Sequence, residues 1–246
     1  MRVLLLADIH SNKTALDAVV ADAAASGGFG AVWCLGDVVG YGPDPASCIE
    51  FLRSHDAVCV AGNHDLGVLG RVDVHQFNAV ALAAVQWTAA HLSEADTAYL
   101  AALPSTLVQG PWTLVHGTPR DPVWEYLLDA DTTLANLPFI TTPWFLVGHS
   151  HLPLVFVTGE TGLKMRGRML RPGETVRCFG DTEGAINPGS VGQPRDADPR
   201  AAYALVDTEA LTVTPRRVAY DIAEVQARIR AAGLPEPLAA RLEVGR

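Results

Sequence analysis

The chain opens Met1-Arg2-Val3-Leu4-Leu5-Leu6-Ala7-Asp8-Ile9-His10, and this stretch decides how the rest is read. Val3 to Ala7 is an unbroken apolar run, the pattern of a strand covered on both faces. It stops on a carboxylate and an imidazole two residues apart. Leu16, Val19, Val20 and Ala23 then recur at helical spacing until Gly27-Gly28 ends the helix. In an α/β sheet, binding groups collect just beyond the carboxyl ends of the strands.

The same order of strand and polar motif repeats along the chain. Ala31 to Leu35 delivers Gly36-Asp37, and Ala57 to Ala61 delivers Gly62-Asn63-His64-Asp65. Trp112 to Val115 delivers His116-Gly117, and Trp144 to Val147 delivers Gly148-His149-Ser150-His151. Residues 74 to 103 predict two Ala-rich helices, the second capped by Ser93. Beyond residue 151 the strand-like runs follow one another: Leu154 to Val157, Val176 to Phe179, Ala201 to Val206 and Leu211 to Val218. Their short links predict antiparallel pairing. A last helix, Ile222 to Ala232, ends at Gly233 and Pro235. No repeat or linker interrupts the chain. Residues 1–246 are therefore expected to form a single α/β domain, a four-layer-type sandwich of two mixed sheets flanked by helices.

Bulk properties narrow the function. Hydrophobic residues make up 49% of the 246 and charged ones 18%, enough for a large core and against disorder. A net charge of −9 argues against a nucleic-acid or membrane surface, which would want a basic patch. Cys34, Cys48, Cys59 and Cys178 form no C-x-x-C pair and read as buried, reduced thiols. The opening apolar stretch is too short for a signal-peptide core, and no segment reaches the roughly 18 apolar residues of a membrane span. A cytoplasmic protein without a membrane partner is expected, and a homo-oligomer is left open.

The motifs supply the carboxylates of Asp8 and Asp37, the amide of Asn63 and five of the eight imidazoles: His10, His64, His116, His149 and His151. Borderline divalent metals accept such ligands. Asp8 and His10 are read as neighbours on an extended segment, both side chains pointing to one side. His55, His75 and His91 read as surface or satisfied histidines.

The pattern D-x-H, G-D, G-N-H-[DE], an isolated H and G-H-x-H resembles the signature of the calcineurin-like metallophosphoesterases. The match spans residues 3 to 206 and is closest to small bacterial and archaeal phosphodiesterases; Asn187-Pro188-Gly189-Ser190-Val191-Gly192 resembles a loop of that subgroup. The resemblance implies two divalent ions (Mn, Fe, Zn, Ni or Co). One would be held by Asp8, His10, Asp37 and His151. The other would be held by Asp37, Asn63, His116 and His149, with Asp37 bridging. It implies hydrolysis of a small phosphodiester or nucleotide by a metal-bridging hydroxide. His64 would face the phosphate as the acid, steadied and kept basic by Asp65. A phosphomonoesterase, a phosphoprotein phosphatase and a non-catalytic scaffold are the alternatives. Four metal charges less Asp8, Asp37 and hydroxide leave about +1 to attract phosphate in an acidic protein.

Three further residues are candidates for substrate contact. Tyr41, in the loop Gly40 to Pro45, could stack on a base, unless the loop is a plain Gly/Pro turn. Arg120 and Arg195 follow site loops and could bind a distal phosphate. Lys164, Arg166, Arg168, Arg171 and Arg177 form a basic cluster that could steer a polyanionic substrate but reads first as a solvated hairpin.

Overall fold

The computed structural model describes residues 1–158, 164–178 and 182–246. β1 (Arg2–Leu6), α1 (Lys13–Ala25), β2 (Ala31–Cys34), α2 (Pro45–Ser54) and β3 (Val58–Cys59) alternate as expected. α3 (Asn63–Val68), α4 (Ala79–His91) and α5 (Glu94–Ala101) follow. β4 (Thr106–Gln109), β5 (Trp112–Val115), α6 (Ala130–Asn136) and β6 (Trp144–Leu146) lead into the β-rich part. That part comprises β7 (Pro153–Thr158), β8 (Met165–Met169), β9 (Val176–Arg177), β10 (Gly184–Pro188), β11 (Ala201–Asp207) and β12 (Thr212–Val218). α7 (Ile222–Ala231) and α8 (Glu236–Val244) close the chain.

Among the described residues the strands form two six-stranded mixed sheets, β3-β2-β1-β11-β12-β9 and β4-β5-β6-β10-β7-β8. β1 pairs parallel with β2 and antiparallel with β11, so the opening strand is the seam between the α/β and β-rich halves. Alternation along it shows why the run had to be apolar throughout. Val3, Leu5 and Ala7 pack with Trp33, Trp112, Trp144 and Ile186 between the sheets. Leu4 and Leu6 pack on the other face against Leu16 and Val19 of α1 and Ile49 of α2. This is the expected sandwich of two mixed sheets with helices outside.

Ser93 caps α5, accepting from the Asp96 N–H at 3.1 Å. The strands after residue 151 pair antiparallel in β7–β8 and β11–β12. Other expectations need correction. β3 is only Val58–Cys59 rather than Ala57 to Ala61, and Asn63 and His64 open helix α3. Phe179, expected to end a strand, lies outside the described residues. α8 lies beyond Pro235, which in the sequence reads as a stop. Pro235 is instead the N-cap of a new helix, with Pro237 in the first turn, where a missing N–H costs nothing. β10 was missed because Gly184-Ala-Ile-Asn-Pro is poor in β-branched residues, yet it is fully buried between β6 and β7. Arg166 and Arg168 are exposed on β8, which pairs with β7. No helix among the described residues is long and apolar enough to cross a membrane.

Candidate metal centre

The polar motifs converge where the two sheets present their strand ends. Asp8, His10, Asp37 and His151 place one ligand atom each within 4.8 Å of one another, and so do Asp37, His116 and His149. Asp37 belongs to both groups. Its Oδ2 lies 3.5 Å from His10 Nε2 and 3.4 Å from His116 Nε2. Its Oδ1 accepts the backbone N–H of His64 at 2.8 Å, so one oxygen alone faces both groups. Asn63 Oδ1 sits 3.1 Å from His116 Nε2, joining the second group.

The local backbone differs from the extended segment expected around Asp8 and His10. Asp8 (φ 52°), His10 (φ 49°), Asp37 (φ 51°), His149 (φ 65°) and His151 (φ 59°) all occupy the left-handed region. Asp and His tolerate that region better than most residues, though each such residue still costs about 1–3 kcal/mol. Tight left-handed turns, rather than two-residue alternation, swing these side chains inward. The loop Asn187 to Gln193 holds the turns in place. Asn187 Nδ2 donates to Gly148 O (2.6 Å), Ser190 Oγ to Asp8 O (2.9 Å) and Asn12 Nδ2 to Gly192 O (3.0 Å). A Cβ on Gly192 would lie 1.9 Å from Ile9 O, so no larger residue fits that seam.

The proton positions on the rings follow from their partners, because a carbonyl can only accept. His10 Nδ1 donates to Val39 O (3.1 Å), His116 Nδ1 to Leu35 O (2.8 Å), His151 Nδ1 to Gln193 O (2.5 Å) and His149 Nε2 to Trp124 O (3.1 Å). In each neutral ring the other nitrogen is then a bare lone pair turned inward. His10 Nε2 and His151 Nε2 face each other at 3.1 Å, and His116 Nε2 and His149 Nδ1 at 3.2 Å. The buried Asp8 Oδ2 has no hydrogen-bond partner. Lone pairs packed this closely in a dry site repel one another unless protons or cations lie between them, so the donor set fits divalent ions.

Electrostatics agree. Burial pulls His10 and His151 well below the usual imidazole range, and His149 to about 3. Burial raises Asp8 to about 7. Burial also opposes charge on His116, but Asp37 and Asp8 outweigh it and lift the ring to about 9. Burial alone would raise Asp37; His116, His64 and His10 together hold it well below the usual carboxylate range.

The expectation that Asp65 steadies His64 is overturned. Asp65 Oδ1 accepts from Val39 N (3.1 Å) and Oδ2 from Gly62 N (2.9 Å), so the carboxylate braces backbone. His64 Nδ1 is buried without a partner. Ring packing orients His64 instead, against Tyr41 (4.3 Å between centroids), His10 (4.9 Å) and Phe77 (5.1 Å). Nor is it kept basic, since burial lowers it to about 4.

The substrate-contact candidates divide. Tyr41 is 8% exposed, wedged between His10 and His64 on one side and the packing of α4, α7 and α8 on the other. Little of its ring is left exposed, so it walls the site rather than stacking on a base. Arg120 Nε donates to both Glu125 oxygens (2.9 and 2.8 Å), which commits it to bracing its own loop. Arg195 remains near the site. Its Nη2 donates to Gln193 Oε1 (3.0 Å), its buried Nε has no partner, and its charge disfavours protonation of His10, His64, His149 and His151. Trp124 and Tyr126 beside His149, and Phe77 beside His64, are not visible in the sequence, since isolated aromatics carry no periodic signal.

Residues 1–211 match the model of the calcineurin-like phosphoesterase superfamily domain. An uncharacterized protein of Methanocaldococcus jannaschii is 36% identical over 253 aligned positions, covering 99% of this chain and 98% of that one. The crystal structure of a metallophosphoesterase from Sphaerobacter thermophilus superposes with a TM-score of 0.89 at 42% identity, covering 100% of this chain and 99% of that one. A hypothetical protein from Pyrococcus horikoshii shares the fold, with a TM-score of 0.79 at 24% identity, over 100% of this chain and 98% of that one. With its two mixed sheets and the buried Asp/His cluster at their strand ends, the chain belongs to the calcineurin-like phosphoesterase superfamily.

Proposed function

We propose that the chain is a dinuclear-metal phosphodiesterase acting on a small phosphodiester or nucleotide. The observation that carries this reading is the pair of buried ligand groups sharing Asp37, with one ring nitrogen each of His10, His116, His149 and His151 turned inward. Asp8, His10, Asp37 and His151 would hold one ion, and Asp37, Asn63, His116 and His149 the other. Mn, Fe, Zn, Ni and Co all suit such N/O donors. When bound, the ions supply Lewis acidity toward a phosphoryl oxygen and a water that ionises near neutral pH.

The protein's own groups do the rest. The backbone carbonyls of Leu35, Val39, Trp124 and Gln193 fix the four ligand rings, so no reorganisation is needed when charge develops. His64, neutral in its buried cage, offers an N–H to the phosphate or to the departing oxygen rather than a ready-made positive charge. A neutral donor beside a site of about one net positive charge suits a monoanionic diester better than a dianionic monoester. Arg195 is placed to meet a further anionic group.

Turnover of bis-p-nitrophenyl phosphate against p-nitrophenyl phosphate, with each metal added, tests the reading. Preference for the diester supports it, and preference for the monoester points to a phosphomonoesterase. No turnover with any metal would favour a binding scaffold.

A further inference from the structure

Tyr126 combines exposure with order. It is 46% exposed, yet its ring lies flat on His149, with centroids 4.0 Å apart and planes 9° apart. His149 is the ring whose Nδ1 turns toward His116 in the second ligand group. Trp124 fixes the other nitrogen of His149 through its carbonyl, and the Trp124 ring meets Phe77 at 5.2 Å. Phe77 in turn meets His64 at 5.1 Å. Phe77, Trp124 and Tyr126 thus form an aromatic rim running from His64 to His149.

The loop that carries Trp124 and Tyr126 is braced. Asp121 Oδ1 accepts from the N–H of Val123 (3.2 Å) and of Trp124 (3.1 Å). Glu125 is held by Arg120, Thr118 and Asn136 Nδ2, the last at 2.9 Å. Leu127, one residue on, is 1% exposed among Val115, Phe145 and Val147. A half-exposed aromatic ring held this firmly, one face on a candidate metal ligand, is pre-organised to receive a flat group on its other face. Tyr41, only 8% exposed, offers far less ring than Tyr126.

We infer that Tyr126, backed by Trp124 and Phe77, is the stacking platform for a planar aromatic group of the substrate, so that the preferred diester carries a nucleobase or similar ring next to the scissile phosphate. This rests on the phosphodiesterase reading for its chemistry, but not for its binding.

Two p-nitrophenyl diesters with the same leaving group test it, thymidine 5′-p-nitrophenyl phosphate and ethyl p-nitrophenyl phosphate. Wild type should show the lower KM for the thymidine ester. Tyr126→Leu, which keeps apolar cover on His149 but removes the π face, should erode the KM advantage of the thymidine ester over the ethyl ester roughly 5- to 100-fold. Tyr126→Phe should behave as wild type. Equal changes for both esters, or none, would overturn the platform. Calorimetric binding of AMP against ethyl phosphate reads the same preference without turnover. Tighter AMP binding by wild type, lost in Tyr126→Leu, supports the platform, and equal affinities for the two ligands in wild type overturn it. Absent turnover with a retained AMP preference would sink the phosphodiesterase reading and leave the platform standing.

Discussion

Metal uptake by this protein should release protons, and the site geometry says how many. In the metal-free protein His116 is pushed up to about 9, because Asp37 and Asp8 outweigh the opposing effect of burial. Asp8 is raised to about 7 by burial. At pH 7 His116 is therefore protonated and Asp8 is half-protonated. Both must lose their protons to act as ligands, so binding at pH 7 should release at least about 1.5 protons per chain. The sign follows: below pH 7 two protons compete with the metal, between 7 and 9 one does, and above 9 neither does. Each competing proton changes apparent affinity about tenfold per pH unit, or about 1.4 kcal/mol. Between pH 7 and 9 the affinity for Mn should rise up to about 100-fold on account of His116 alone. Isothermal titration in HEPES and in Tris, whose ionisation enthalpies differ, counts the protons. His116→Ala should lower the count by about one. A buffer-independent heat, with affinity flat from pH 6 to 9, would refute the claim that these side chains are the ligands.

Other substitutions test separate links. A Cβ on Gly62 would lie 2.1 Å from Asp37 Oδ1 and 2.4 Å from Asp37 N, although the backbone there is ordinary extended chain. Gly62→Ala should fold but lose bound metal, and metal content equal to wild type would contradict the close approach. His64→Ala should keep its metal and lose roughly 10²- to 10⁴-fold in kcat, while parallel loss of metal would show that it serves as a ligand. Glu125 is held down to about 2, first by Arg120 and then by Asn136 and Thr118. A depressed carboxylate stabilises the fold above its unfolded value of about 4.5, and that contribution fades as pH falls toward 2. With allowance for solvent screening, Glu125→Gln should cost about 1–2 kcal/mol at pH 7 and almost nothing near pH 2, read by denaturant unfolding. An equal deficit at both pH values would refute the ion-pair role.

Buried strands built from continuous runs of large apolar residues are the most legible part of the sequence, whereas β10, equally buried but carrying Gly184, Asn187 and Pro188, is not. Val3 to Ala7 declares itself because a strand packed between a sheet and helices admits no polar residue. The convergence of the candidate ligands is legible for a related reason, since carboxylates and imidazoles that each end such a strand have few other reasons to be there. What failed depended on tertiary context. Asp65 follows His64 directly and was read as its partner, but a side chain one step along a helix turns away, toward Val39 N and Gly62 N. Tyr41 looked like a free ring because its loop is rich in Gly and Pro. Its surroundings come from α7 and α8, nearly 200 residues away, and α8 itself hid behind Pro235. Arg120 is drawn away from the expected substrate contact, and Tyr126 is set against His149, for a similar reason. Glu125, which captures Arg120, and His149, which underlies Tyr126, are neighbours only once the loop from Gly117 is folded.

The central claim is that two cations sit side by side, sharing Asp37. Crystals grown with Mn and measured by anomalous scattering test it most directly. The account predicts two strong peaks, one bounded by Asp8, His10, Asp37 and His151, the other by Asp37, Asn63, His116 and His149. A single peak, or peaks that leave Asp37 Oδ2 uncoordinated, would contradict it.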